Sequence, residues 1–234
     1  MPHKPVAVVV AMQTEVAPLV RGYPPSTVDG INLFEMESAI VAVGGIGRQA
    51  AHRAAGAVMD WFSPAVLVSA GIAGALTDSW HVGDVLFARD VVDADSGERF
   101  SAGGSAGTVV TASNVSGPAE KRNLAQRWTA DVVDMEAAAV AKLAAANGIE
   151  FIAIKAVSDE LDFVMPPVDR FVDATGKFET LRFAGFLALH PGWWQAVRQL
   201  SRNSSIATVN LSSALQHLID QRSRIHSESK TVQA

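Results

Sequence analysis

The stretch from Asp131 to Asp162, DVVDMEAAAVAKLAAANGIEFIAIKAVSDELD, leaves this chain few choices of fold. Met135 to Asn147 is rich in strong helix formers and Asn147-Gly148 is a stop signal, so a helix is predicted there. Phe151 to Val157 is apolar except for Lys155 and partly β-branched, as a strand covered on both faces is. Asp134 and Glu136 then fall where a helix begins, and Ser158 and Asp159 where a strand ends. In open α/β sheets that rim is where ligands bind.

Two carboxylates in this stretch carry chemical interest. Glu136, placed in the first helical turn, is favoured there in its ionised form and has oxygens that accept paired hydroxyl donors from a sugar. It also fits a plain helix-dipole partner. Asp159 follows a buried strand, where desolvation favours a carboxyl that holds and donates a proton near neutral pH. A turn or cap residue is its other reading.

The segment VDMEAAAVAKLAAANGIEFIAIKAVSDELD resembles the paired signature of the nucleoside phosphorylase and purine nucleosidase superfamily, in particular its methylthioadenosine/S-adenosylhomocysteine nucleosidase branch. The resemblance runs through four motifs in the family order, over roughly the first three quarters of the chain. It implies a single three-layer α/β domain, with a mixed, partly parallel central sheet flanked by helices. That domain is expected over 1–222, with 223–234 a polar, frayed tail.

At 234 residues, half of them hydrophobic, the chain is long enough for one such core. The formal net charge of −5 leaves no electrostatic footprint for nucleic acid. With no cysteine, thiolate metal sites and a cysteine nucleophile are excluded. The start MPHKP lacks the apolar core of a signal peptide, and no apolar run is long enough to span a bilayer, so a cytoplasmic protein is expected. Neither a cofactor nor a metal is expected.

Val6 to Ala11 reads as a buried first strand running into AMQTEV, where Thr14 is placed to cap a short helix and Glu15 lies near its start. The resemblance implies that Glu15 orients and deprotonates an attacking water. Ile31 to Glu37 and Ala39 to Val43 read as two short strands, followed by VGGIGR. Gly44, Gly45 and Gly47 make a loop into an alanine-rich helix, with free N–H groups expected to face the site. In the family such a loop lies beside the ribose, Gly45 here, and in phosphorylases beside phosphate. Arg48 is either the cation of a phosphate site or a solvated helix residue.

Ala65 to Ala70 reads as the next buried strand, ending in GIAGAL, where Gly71 lets the backbone approach a ligand. Ile72 stands where the nucleosidases have a serine near the water. His81 reads as structural or solvent-facing. Asp93 and Asp95 with Gly97 fall short of a metal loop, and a hairpin is expected instead. The aromatic that stacks on the purine in the family has Val115 as its nearest counterpart. Residues 163–183 read as a lid or as a contact with a neighbouring subunit. From Trp193 onward one or two packing helices are expected, with Ile206, Val209 and Leu211 on the packing side.

Together these residues predict cleavage of an N-glycosidic bond. Asp159, held by Ser158, donates to N7 of a purine. Glu136 binds the ribose hydroxyls and stabilises the sugar cation; the resemblance implies that Met135 lies beneath the sugar and that Glu15 activates water. The first expectation is a purine nucleosidase acting on a 5′-substituted nucleoside. The alternative is a phosphorylase giving ribose 1-phosphate, with Gly44, Gly47 and Arg48 holding phosphate. The C-terminal Trp-rich segment resembles a phosphorylase-like branch linked to hopanoid synthesis, whose substrate carries a large apolar 5′ group. The third reading is a nucleoside-binding module without turnover. The family's pockets are completed across dimer interfaces, so at least a homodimer is implied.

Overall fold

Ten consecutive residues, Val66–Ala75, form β5, the strand on which the rest of the sheet is hung. The computed structural model describes residues 4–231, and the side chains of residues 4–225. β5 does not stop at Ala70 as the sequence predicts, because the small residues of GIAGA continue the pairing with β10 (Glu150–Asp159). That parallel pairing runs from Val66 opposite Glu150 to Gly74 opposite Asp159, with an irregularity between Val157 and Asp159.

The other edge of β5 is shared by two strands. β1 (Val6–Val10) pairs in parallel with Val66 to Ser69, and β9 (Val132–Asp134) pairs antiparallel with Gly74 and Ala75. Between Ser69 and Gly74 this edge has parted. β4 (Ala39–Val43), β3 (Ile31–Glu35) and β2 (Ser26–Val28) continue the sheet beyond β1. On the other side, β10 is followed by β6 (Val85–Asp93), β8 (Ala106–Thr111) and β9, which returns to β5, so these five strands close on themselves. β7 (Arg99–Ser101) pairs only with β6, completing the expected hairpin.

Helices cover both faces, giving the three layers of a single mixed α/β domain. α1 (Arg48–Phe62) and α3 (Ala137–Ala146) pack small residues such as Ala54, Ala55 and Ala141 into one core. α2 (Pro118–Trp128) closes a smaller cluster through Leu124. α5 (Trp194–Thr231) covers the opposite face as one unbroken helix, burying Ala207, Leu211, Leu215, Leu218 and Ile219. That spacing puts Ile206 and Val209 on the outer side, where they are 51% and 58% exposed, against the sequence expectation. α5 also runs through the boundary drawn at residue 222; residues 232–234 of the expected tail lie outside the described residues.

α4 (Thr180–Leu189) is apolar yet buries none of its residues, and Leu181 and Leu189 are 89% and 80% exposed. It is tied to the segment before it by edge contacts of Phe171 with Phe183 at 5.2 Å. Among the described residues, no helix is long and apolar enough to cross a membrane.

Candidate active site

Glu15 sits in a single 3-10 turn, Gln13–Val16, directly after β1. Its Oε2 accepts the N–H of Met12 at 2.9 Å, and its Oε1 accepts the N–H of Ile72 at 3.1 Å. Ile72 thus contributes its backbone from the parted edge of β5, while its side chain is half-buried against the core. Gly71 makes the room: a Cβ there would lie 3.2 Å from Glu15 Oε1. Burial pushes the Glu15 carboxyl above the ordinary glutamate value, against the two N–H bonds and the Lys155 ammonium. A buried carboxyl with a raised pKa, held in place by two backbone donors, has the chemistry to exchange a proton with a group beside it.

Glu136 is not in the first turn of α3 but immediately before it, since helical geometry starts at Ala137. The reason is Asp134, whose Oδ2 accepts the Ala137 N–H at 2.8 Å and so caps the helix from two positions earlier. Glu136 is thereby turned away, and its Oε1 accepts the Gly47 N–H at 2.7 Å. Burial, and then the neighbouring Asp134, push its pKa up to about 7. Behind it lies Lys155, whose Nζ is 2.8 Å from Asp134 Oδ2 and donates to Ser69 Oγ at 3.2 Å. Burial opposes the charge on Lys155, but Asp134 and Glu136 outweigh it and raise its pKa. Thr111 completes this network, giving its hydroxyl to Asp134 Oδ1 at 2.6 Å.

Asp159 ends β10 at the same rim and is buried. Its Oδ1 accepts the Ser158 hydroxyl at 2.7 Å, as the sequence predicts. Its Oδ2 meets Lys121 Nζ at 2.5 Å, so the carboxyl that the sequence places after a buried strand has a buried cation against it. Lys121 reaches inward from α2.

The glycine loop corrects another expectation. Its N–H groups are not free: Gly44 donates to Val10 O, Gly45 to Ala11 O, Ile46 to Gly176 O and Gly47 to Glu136. Arg48 is partly exposed and already paired. It forms an ion pair with Asp93, lies 3.3 Å from Asp95 and donates to Thr111 O at 2.7 Å. Burial pushes the Asp93 carboxyl up, but the Arg48 contacts, with the N–H groups of Asp95 and Ser96, hold it below the ordinary aspartate value. They also give Asp93 and Asp95 a task other than metal binding.

A cavity of about 300 Å³ opens beside this loop, lined by Ile46, Gly47, Arg48, Met135 and Ser113, and walled by residues 173–176. The segment after Asp162 thus reaches the site, with Gly176 O bonded to the Ile46 N–H at 2.7 Å. Val115 is half-buried in the link before α2, and Ala112 and Ser113 line the cavity in its stead. His81 is exposed, 3.4 Å from Glu160. A separate cavity of about 500 Å³ lies between residues 160–164 and the start of α5.

Sequence reasoning missed Lys121 and gave no role to Lys155, Asp134 or Thr111. Lys155 carried a signal, because a lysine inside a strand covered on both faces demands a buried counter-charge. Lys121 carried none, since in PAEKRNLAQRW it is one charge among several on a surface helix.

Residues 5–114 and 101–184 match the family model described as Phosphorylase superfamily. No curated protein matches the chain in sequence. Among solved structures, the chain is similar to the 5′-methylthioadenosine/S-adenosylhomocysteine nucleosidase of Helicobacter pylori, with 16% identity and a TM-score of 0.73 over 94% of this chain and all of that one. The Arabidopsis thaliana 5′-methylthioadenosine nucleosidase is 20% identical, with a TM-score of 0.73 over 94% of this chain and 96% of that one. The Helicobacter pylori futalosine hydrolase is 16% identical, with a TM-score of 0.67 over 92% and 98%.

Proposed function

This chain belongs to the phosphorylase superfamily, and from that premise we propose that it is a purine nucleosidase, cleaving the N-glycosidic bond of a 5′-substituted purine nucleoside with water. The observation that carries hydrolysis over phosphorolysis is the anion site's occupation by the protein itself. The N–H groups of Gly44, Gly45, Ile46 and Gly47 all have protein acceptors, and two carboxylates face Arg48. Phosphate needs open donors and an unneutralised cation.

In this reading Glu15 takes a proton from water as the water attacks the anomeric carbon. Glu136 accepts the ribose hydroxyls and its negative charge stabilises the oxocarbenium-like sugar. Asp159, oriented by Ser158, gives a proton to N7 as the bond to the base breaks. Met135 lines the cavity in which the sugar would lie. Two of the solved structures named above are 5′-methylthioadenosine nucleosidases by their names, which supports the substrate class. The reading also includes a cytoplasmic enzyme and assembly into at least a dimer, supported by the uncovered apolar side of α4; light scattering on the purified chain tests the assembly.

The functional test is base release from adenosine, methylthioadenosine, S-adenosylhomocysteine and inosine, each with and without phosphate. Free ribose product without phosphate is the expected result. Ribose 1-phosphate formed only with phosphate overturns hydrolysis. No release from any nucleoside, with binding retained, gives the non-catalytic reading instead.

A further inference from the structure

α2 is a surface helix, and Lys121 and Leu124 are its only buried residues. A leucine there needs no explanation, but a buried lysine is costly unless its charge is matched. Lys121 is matched at every proton: Nζ meets Asp159 Oδ2 at 2.5 Å, Glu160 O at 2.7 Å and Asp159 O at 3.4 Å. Space for the pair comes from β5. A Cβ on Gly74 would lie 2.9 Å from Asp159 Oδ2 and 3.0 Å from Lys121 Cε. A helix outside the sheet and a glycine inside it are thus both shaped to bring one ammonium against one carboxyl.

We propose that Lys121 is a positioning residue acting through Asp159, fixing the carboxyl's orientation and stabilising the carboxylate that remains once the proton has passed to the leaving purine. The inference rests on the acid role given to Asp159 above. In that step the Asp159 O–H bond breaks and N7–H forms. The C1′–N9 electron pair goes to the base, and the ammonium keeps its three protons. A cation set against a buried carboxyl favours the ionised form that proton transfer leaves behind. An acid works best when the proton is both present and transferable, and Lys121 supplies the second condition.

The charged groups around Asp159 are few. Lys121 faces it from α2, and β5 contributes Gly74 with no side chain. Past the end of β10, Glu160 pairs with His81 and Asp162 with Arg122, all exposed. Further into the site are Glu15, Asp134, Glu136 and Lys155.

The test is the pH dependence of base release in Lys121→Met, Gly74→Ala, Asp159→Asn and the Lys121→Met/Asp159→Asn double variant. Lys121→Met is expected to lower kcat about tenfold or more with little change in KM. Its pH profile moves to higher pH. Gly74→Ala, which displaces the pair but keeps both residues, shifts the profile in the same direction and decides the matter if Lys121→Met does not fold. In the Asp159→Asn background, Lys121→Met has no further effect on kcat. Folded Lys121→Met and Gly74→Ala with wild-type kcat and profile overturn the proposal, as does an undiminished Lys121→Met effect without Asp159. A wild type that releases no base fails one step earlier and sinks the nucleosidase reading together with this one.

Discussion

Lys155 Nζ lies 2.8 Å from Asp134 Oδ2, and neither side chain reaches solvent. This pair stands behind two further buried carboxyls, Glu15 and Glu136, whose ionised forms Lys155 favours while Asp134 opposes that of Glu136. Lys155→Met is expected to cost about 3–5 kcal/mol of stability, because it leaves Asp134 buried without its partner. Urea unfolding measures it, and a loss below about 1 kcal/mol would mean the network reorganises around the methionine.

Glu136 ties stability to pH. Its folded pKa is about 7 against an ordinary 4.5, so the folded chain binds the extra proton between those values. The contribution is fully present below the unfolded value and is lost as pH rises through about 7. Glu136→Gln is therefore expected to flatten the decline of Tm across that window while reducing kcat/KM about 10²-fold or more. An equal decline in wild type and variant would place the titration elsewhere.

Glu15 has to be ionised to accept a proton from water, and burial raises its pKa. The acid limb of kcat/KM should accordingly lie above pH 4.5, with activity falling as pH drops through the raised value. Glu15→Gln should retain nucleoside binding and lose about 10²- to 10⁴-fold in kcat. Rapid turnover by the glutamine variant would require another base.

The occupied anion site leads to a kinetic expectation. Wild-type base release should be unchanged by added phosphate, because Arg48 is engaged by Asp93 and Asp95. Asp93→Asn loosens one side of that clamp, and phosphate should then compete with the nucleoside. Inhibition of the wild type by phosphate at the same concentrations would show that Arg48 is already accessible.

Gly176 closes the cavity wall onto the glycine loop. A Cβ there would lie 2.5 Å from Ile46 O, and the φ of +88° already excludes most side chains. Gly176→Ala should push residues 173–176 outward and raise KM more than it lowers kcat. Steady-state kinetics with one nucleoside are enough to separate the two effects.

The fold was legible wherever a residue's neighbours in sequence decide its place. The apolar runs of β1, β4 and β10 and the alanine-rich α3 follow from local pattern, as do Glu15 and Asp159 at the ends of their strands. What stayed hidden depends on partners far along the chain. The loop donors seemed free because Val10, Ala11 and Gly176 take them up from other elements. Arg48 seemed available because Asp93 and Asp95 approach it across the sheet. Glu136 moved by one position because Asp134 captured the helix start. Lys121, too, lies 38 residues from the carboxyl it serves.

Where β1 stops pairing at Ser69 and β9 begins at Gly74, β5 is a ladder with rungs left out of one side. Glu15 already stands in for one of them by taking the Ile72 N–H. A sheet normally defends itself by zipping shut, and here a turn bearing a carboxylate wedges it open. The reactive pocket is then less a hollow carved into a finished scaffold than a suture never closed, and any change that let β1 lengthen along β5 would heal the protein and silence it.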